Sequence, residues 1–206
     1  MPKKVIILLA DGFEEVDAIT PIDFLRRVGI EVTIAAVGAK AQEECCLAVK
    51  GAHSIQVAVD VALETLLEQK KLDPSAWDGV VVPGGLPGAD NLAASGETGA
   101  FLKAMAGAGK WVFAICAAPA RVLSPLGLLA GKKFTCYPGE EKKVLATGSA
   151  SAGAEWKQDR VVVDGNFITS RGPGTAGEFA CAIITKLASE EESKKLAQGT
   201  LLWCAE

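Results

Sequence analysis

The chain has 206 residues, 50% of them hydrophobic, and a formal net charge of −4. That length fits one domain with ample apolar material for a core, so one unit spanning 1–206 is expected. No run of five Lys or Arg occurs. This argues against a nucleic-acid partner, because phosphate binding needs a clustered basic surface, and it leaves small-molecule and protein partners open.

VIILLA at 5–10 reads as the first strand. Asp11 closes the apolar run before it reaches the length of a signal h-region or a membrane span, so no membrane association is expected. Residues 16–28 place Val16, Ile19, Ile22, Leu25 and Val28 on roughly one side, with Gly29 as a stop, and predict a helix. EVTIAAV (31–37) is the second strand, and LAVKGAHSIQVAVD (47–60) looks like a hairpin excursion. DGVVVPGG (78–85) and WVFAIC (111–116) follow as strands, with Ala-rich helical stretches at 97–108 and 117–124. NFITS (166–170) is the last predicted strand. The last long helix, 175–187, carries Phe179, Ile183 and Leu187 at i, i+4 and i+8. Several strands are apolar on successive residues, the pattern of a parallel sheet covered on both faces. Strand and helix in alternation imply an open α/β sandwich, whose ligands lie beyond the carboxyl ends of the strands.

The six cysteines are Cys45, Cys46, Cys116, Cys136, Cys181 and Cys204, with no CxxC pair, and the one histidine is His53. That excludes a zinc site of the usual spacing, and no metal or cofactor is expected. Without a secretion signal a disulfide framework is not expected either. Free thiols in a reducing, cytoplasmic compartment fit best.

Four loops could carry chemistry. ADGFEEVDA (10–18) packs Asp11, Glu14, Glu15 and Asp17 ahead of a helix. Acids there stabilise the positive helix end, but four exceed what capping requires, and one could serve as an acid or base. VVPGGLPGADNL (81–92) has Gly84, Gly85 and Gly88, which allow a sharp turn with exposed N–H groups; a plain strand-to-helix turn explains it equally. Cys116 stands between the strand VFAI and the helical AAPARVL, the arrangement of a nucleophile elbow. A helix N-terminus would lower its thiol below the ~8.5 of free Cys, although a buried structural cysteine is also common. In TSRGPGTAGEFA (169–180), Gly172-Pro173-Gly174 forms a rigid turn and Thr175 is placed to cap the next helix.

As a set, GFEEVDA, VVPGGLPGADNL, AICAAP and TSRGPGTAGEFA resemble the ThiJ/PfpI superfamily, in order and spacing, over nearly the whole chain. Within it they are most similar to the parkinsonism-associated deglycase (DJ-1) subgroup. The resemblance implies a flavodoxin-like three-layer sandwich, a mostly parallel sheet, a nucleophile elbow and a homodimer. The helix at 16–28, with Asp23, Arg26 and Arg27 beside apolar residues, suits such an interface. Cys116 maps to the reactive cysteine, and the N–H groups of Gly85 and Ala117 map to an oxyanion hole. Asp17 stands where the subgroup has Glu, with Glu14 and Glu15 in support, and Tyr137 stands where a family histidine lies. The implied activity is a cofactor-independent glyoxalase or deglycase, acting on α-oxoaldehydes such as methylglyoxal or on glycated proteins, with oxidative-stress protection. The alternative is a redox sensor or redox-regulated chaperone working through Cys116 oxidation. One of Cys45 and Cys46 maps near the dimer surface, as a secondary oxidation site.

Two departures stand out. Asp17 is one methylene shorter than Glu, and Tyr137 cannot act as a near-neutral base. Ala117 follows Cys116 where the proteolytic branch has His. With His53 alone in the chain, a Cys–His protease or a glutamine amidotransferase is disfavoured. His53 itself is expected as a hairpin or interface residue rather than a ligand.

Overall fold

The computed structural model describes residues 2–38, 47–146 and 148–202. Strand β1 (Lys4–Leu9) is followed by helix α1 (Glu15–Arg27), β2 (Glu31–Ala36), β3 (Ala48–Lys50), β4 (Gln56–Ala58), β5 (Val61–Ala62) and α2 (Leu63–Glu68). The chain continues through β6 (Gly79–Val82), α3 (Gly88–Ala94), α4 (Gly96–Gly107), β7 (Trp111–Ile115), β8 (Lys133–Phe134) and α5 (Glu141–Ala146). It ends with β9 (Glu155–Trp156), β10 (Val161–Asp164), β11 (Phe167–Ser170), α6 (Ala176–Leu187) and α7 (Glu190–Gly199). Seven strands form one sheet in the order β10-β11-β7-β6-β1-β2-β5. All pairs are parallel except β10 with β11.

Val5 to Leu9, Val80 to Val82 and Val112 to Ile115 are fully buried. This is why those runs are apolar on every residue, since helices cover both faces of the sheet. Each such Ile or Leu contributes about 1.5–3 kcal/mol by leaving water. Helix α6 packs on α1, α7, β7 and β11, while α3 and α4 pack on β1, β6 and β7. The result is a flavodoxin-like α/β sandwich. Strand order reverses between β1 and β6, and the crevice over their carboxyl ends is where such sheets place ligands. No described helix is long and apolar enough to cross a membrane.

The hairpin excursion is present as the antiparallel pair β3–β4. Three expectations need correction. The helical stretch 117–124 is only a short π-helical turn, Pro119–Leu123, in which Ser124 N donates to the Pro119 carbonyl at 3.0 Å. Strand 78–85 stops at Val82, because Pro83 has no N–H for the ladder. The apolar stripe of α1 also splits. Ala18, Pro21, Ile22 and Leu25 are buried, whereas Val16 and Ile19 are 44% and 39% exposed.

Candidate active site

Strand β7 delivers Cys116 to the carboxyl edge of the sheet. Its φ is +64°, a left-handed conformation uncommon for a residue with a Cβ. Two hydrogen bonds hold it there: Cys116 N donates to the Ser170 carbonyl at 3.0 Å, and Tyr137 N donates to the Cys116 carbonyl at 2.8 Å. The elbow reading of Cys116 is therefore matched by its backbone. Residue 116 is only 8% exposed.

Gly84 lets three loops converge on this point. A Cβ there would lie 2.5 Å from Cys116 Cβ, 2.9 Å from Ala117 N and 3.0 Å from Asp17 Oδ2. Gly85 adopts φ +90°, and a Cβ on it would collide with the backbone of Gly12, Phe13 and Glu14. That approach leaves its N–H, with that of Ala117, beside the Cys116 sulfur, where both favour the charged form. On another side, a Cβ at Gly172 would lie 3.8 Å from Cys116 Sγ and 3.3 Å from Tyr137 Cδ2. Tyr137, half exposed, thus borders the same small space.

Asp17 is fully buried in the first turn of α1. Its Oδ2 accepts a long hydrogen bond from Gly84 N at 3.3 Å, while Oδ1 has no hydrogen-bond partner. Burial first, and then the charge of Glu14, push its carboxyl up to about 7, against the pull of the Gly84 N–H and of Cys116. Burial first, and then the charge of Asp17, push the Cys116 thiol above its usual range, against the N–H groups of Gly85 and Ala117. The expectation of a thiol lowered by a helix N-terminus is therefore corrected. The turn after Cys116 is too short to outweigh desolvation and a facing carboxylate. The two groups titrate as a pair. Asp17 gains its proton near neutrality, which removes its opposition to charge on sulfur.

Glu14 is the N-cap residue of α1, and its N–H donates to the Gly84 carbonyl at 2.9 Å. Glu15 turns away to the β3–β4 hairpin. Its Oε1 accepts from His53 N at 2.7 Å, and its Oε2 lies 2.8 Å from His53 Nδ1. Burial opposes its ionisation, but the hydrogen bonds from the His53 ring and the backbone outweigh it and hold the carboxyl below its usual range. Glu14 thus lies beside the Cys116–Asp17 pair, and Glu15 belongs to the hairpin. Ligand-type atoms of Glu14, Glu15 and His53 lie within 4.8 Å of one another. The hydrogen bonds between His53 and Glu15 account for that grouping, and no metal is assigned to it.

Thr175 does not cap α6 with its side chain. Its Oγ1 accepts from Gly172 N at 3.1 Å and lies 2.7 Å from Ser170 Oγ, so it shapes the loop beside the sulfur. Sequence reasoning missed Arg121. From the π-helical turn it bonds Asp90 of α3 at 2.8 Å through Nη1 and Glu140 at 2.9 Å through Nε, pinning the segment that follows Cys116. Its partners are distant in sequence, so no local pattern marks them. Cys136 and Cys181 are buried. Cys45, Cys46 and Cys204 lie outside the described residues.

The DJ-1/PfpI family matches residues 3–186. Protein dj-1beta of Drosophila melanogaster is 38% identical over 203 residues, 98% of each chain. A crystal structure of Drosophila melanogaster DJ-1beta superposes with a TM-score of 0.85 at 36% identity, covering 99% of this chain and 100% of that one. A deglycase of Pyrococcus abyssi is 33% identical over 171 residues, 83% of this chain and 91% of its own. Protein DJ-1 homolog B of Arabidopsis thaliana is 37% identical over 199 residues, 97% of this chain but only 41% of that longer relative.

Proposed function

This chain belongs to the DJ-1/PfpI family, and on that footing we propose that it is a cofactor-independent, cysteine-dependent enzyme acting on methylglyoxal-type α-oxoaldehydes or their protein adducts. One observation carries the reading. At the end of a central strand, Cys116 in a left-handed elbow, the backbone N of Ala117 and the buried carboxyl of Asp17 all crowd the one position that Gly84 leaves without a Cβ.

With the pair singly charged, the Cys116 thiol keeps the proton and the Asp17 carboxylate beside it is the base that takes it. Sulfur attacks the aldehyde carbon as its proton passes to the Asp17 carboxylate, forming a C–S bond, and Asp17 hands that proton to the carbonyl oxygen, which becomes the hemithioacetal hydroxyl, facing backbone donors. The Asp17 carboxylate then takes the proton from the former aldehyde carbon and returns it to the neighbouring ketone carbon, while the hydroxyl proton passes to the ketone oxygen. The product is a thioester of a 2-hydroxy acid. Water cleaves it, releasing the hydroxy acid and returning the proton to the Cys116–Asp17 pair, so the net change is addition of one water. Tyr137 borders the substrate space and limits its size. Removal of the aldehyde from a glycated protein would use the same attack, and a relative at 33% identity carries the name deglycase.

We read residues 1–206 as one unit that pairs into a homodimer. The support is the outward-facing Val16 and Ile19 of α1, with Ile55 of the hairpin 56% exposed. Neither a nucleic acid nor a membrane is invoked, and we place the protein in the cytoplasm. The second reading is a sensor, because the donors around Cys116 would equally hold the oxygens of an oxidised sulfur. Incubation with methylglyoxal and chiral analysis of lactate tests the choice. Lactate from the wild type and none from Cys116→Ala is the expected result. No lactate at any enzyme concentration would overturn the enzymatic reading and leave the sensor.

A further inference from the structure

His53, on the turn between β3 and β4, has a side chain 68% exposed. Its Nδ1 lies 2.8 Å from Glu15 Oε2 and 3.7 Å from Glu14 Oε2. Glu15 is held doubly, because His53 N also donates to its Oε1 at 2.7 Å. Glu14 in turn reaches the reactive pair. Its N–H is bonded to the Gly84 carbonyl, and its charge acts on Asp17. A titratable imidazole on the surface is therefore linked through one carboxylate to the buried groups around sulfur.

We propose that His53 is a positioning residue which, through Glu14 and Glu15, sets the pH range over which Cys116 reacts. The inference rests on the reading of Cys116 and Asp17 given above. The charges facing the ring are those of Glu14 and Glu15, from the N-terminus of α1. Where the hairpin meets the β1–α1 loop, the other charged residues are Lys50 and Asp11, joined by Lys50 N to Asp11 Oδ1 at 2.9 Å. Protonated, the imidazole offsets the two carboxylates and eases the appearance of negative charge on the Cys116–Asp17 pair. The hydrogen bond to Glu15, then the charges of Glu14 and Glu15, hold that proton above the ordinary imidazole range. Loss from His53 makes Asp17 keep its proton more tightly, which broadens the profile. Because the ring is exposed, salt should screen the effect.

The test is alkylation of Cys116 by iodoacetamide between about pH 5 and about pH 9, read by peptide mass mapping. His53→Gln keeps a donor for Glu15 but cannot be charged. We expect its midpoint to rise by roughly 0.3–1 pH unit, which slows alkylation about two- to tenfold on the rising limb. The difference should collapse at about 1 M salt. A purely structural role would instead leave His53→Gln unchanged and show only in His53→Ala, independent of salt. A His53→Gln profile that superimposes on the wild type, or a shift that survives high salt, overturns the inference alone. If wild-type Cys116 is not alkylated at any pH, the reading of the site itself falls and takes the inference with it.

Discussion

Replacing Asp17 by Asn should make the protein more stable and less active, with a stability gain that depends on pH. Asp17 is fully buried, and burial, then Glu14, push its carboxyl from 3.8 up to about 7. A carboxyl raised in this way binds its proton more tightly in the folded state than in the unfolded state. Its burial is least unfavourable below the unfolded value; stability then falls as pH rises from there and levels off above about 7. The interval is about three pH units at ~1.36 kcal/mol each, which sets an upper bound of about 4 kcal/mol. Asn is similar in shape and never ionises. Its advantage over Asp should therefore grow by about 2–3 kcal/mol between about pH 5 and about pH 8. For a chain of this size that is roughly 4–12 °C in melting temperature. Thermal unfolding of both proteins at the two pH values checks it. The thiol should ionise at lower pH in the variant, because the Asp17 charge is second only to burial in raising it. Turnover should nevertheless drop, since the proton carrier is gone. A stability difference that is the same at both pH values would refute a buried carboxyl that protonates near neutrality.

Three further outcomes are expected. Under mild peroxide Cys116 should be the first thiol to gain oxygen, stopping at sulfinate, because it is 8% exposed whereas Cys136 is fully buried. Mass mapping that finds Cys45, Cys46 or Cys204 oxidised well before Cys116 would contradict this. Gly84→Ala should cost about 1–3 kcal/mol of stability and most turnover, because its Cβ would lie 2.5 Å from Cys116 Cβ; a melting curve and a rate at wild-type values would refute the close approach. Light scattering at micromolar concentration should report about twice 21.3 kDa, and a monomer mass would rule out the dimer.

The central sheet was legible because its strands are buried on both faces. VIILLA and WVFAIC contain no polar residue, and parallel strands under two helical layers require none. The antiparallel edge was missed although the sequence marks it. Val161 to Val163 precede Asp164-Gly165, and an Asp-Gly pair between two apolar runs is a hairpin signal; the structure pairs Val163 with Ile168. The short pair β8–β9 had no signal, since two residues per strand show no period. Val16 and Ile19 were assigned to the buried side by spacing. Spacing identifies an apolar stripe but not whether the sheet or another surface covers it.

At the site, the sequence marked the position of Cys116 but not its chemistry. A strand ending in Ala-Ile-Cys-Ala-Ala-Pro contains both the turn and its nucleophile, so the elbow follows from local order. The acidity of the thiol does not. It depends on Asp17, 99 residues earlier in the chain, being brought against Cys116, an approach that Gly84 permits because it has no Cβ. A helix N-terminus contributes at most about 2 kcal/mol to a partly buried charge. Desolvation of a buried acid can shift its pKa by 3–5 units, which is about twice as much or more. The helix argument alone therefore chose the wrong sign for Cys116. The same comparison explains why a carboxylate one methylene shorter than Glu can serve. What matters at Asp17 is not reach but burial beside a second charge, and Glu14 provides that charge. The four acids of the first loop then divide by environment. Asp11 accepts a backbone hydrogen bond from Lys50, Glu15 anchors the hairpin, Glu14 supplies charge, and Asp17 is buried beside Cys116. Their sequence spacing could not sort them, because the division is made by hairpin residues 50–53 and by Gly84, which lie outside that loop.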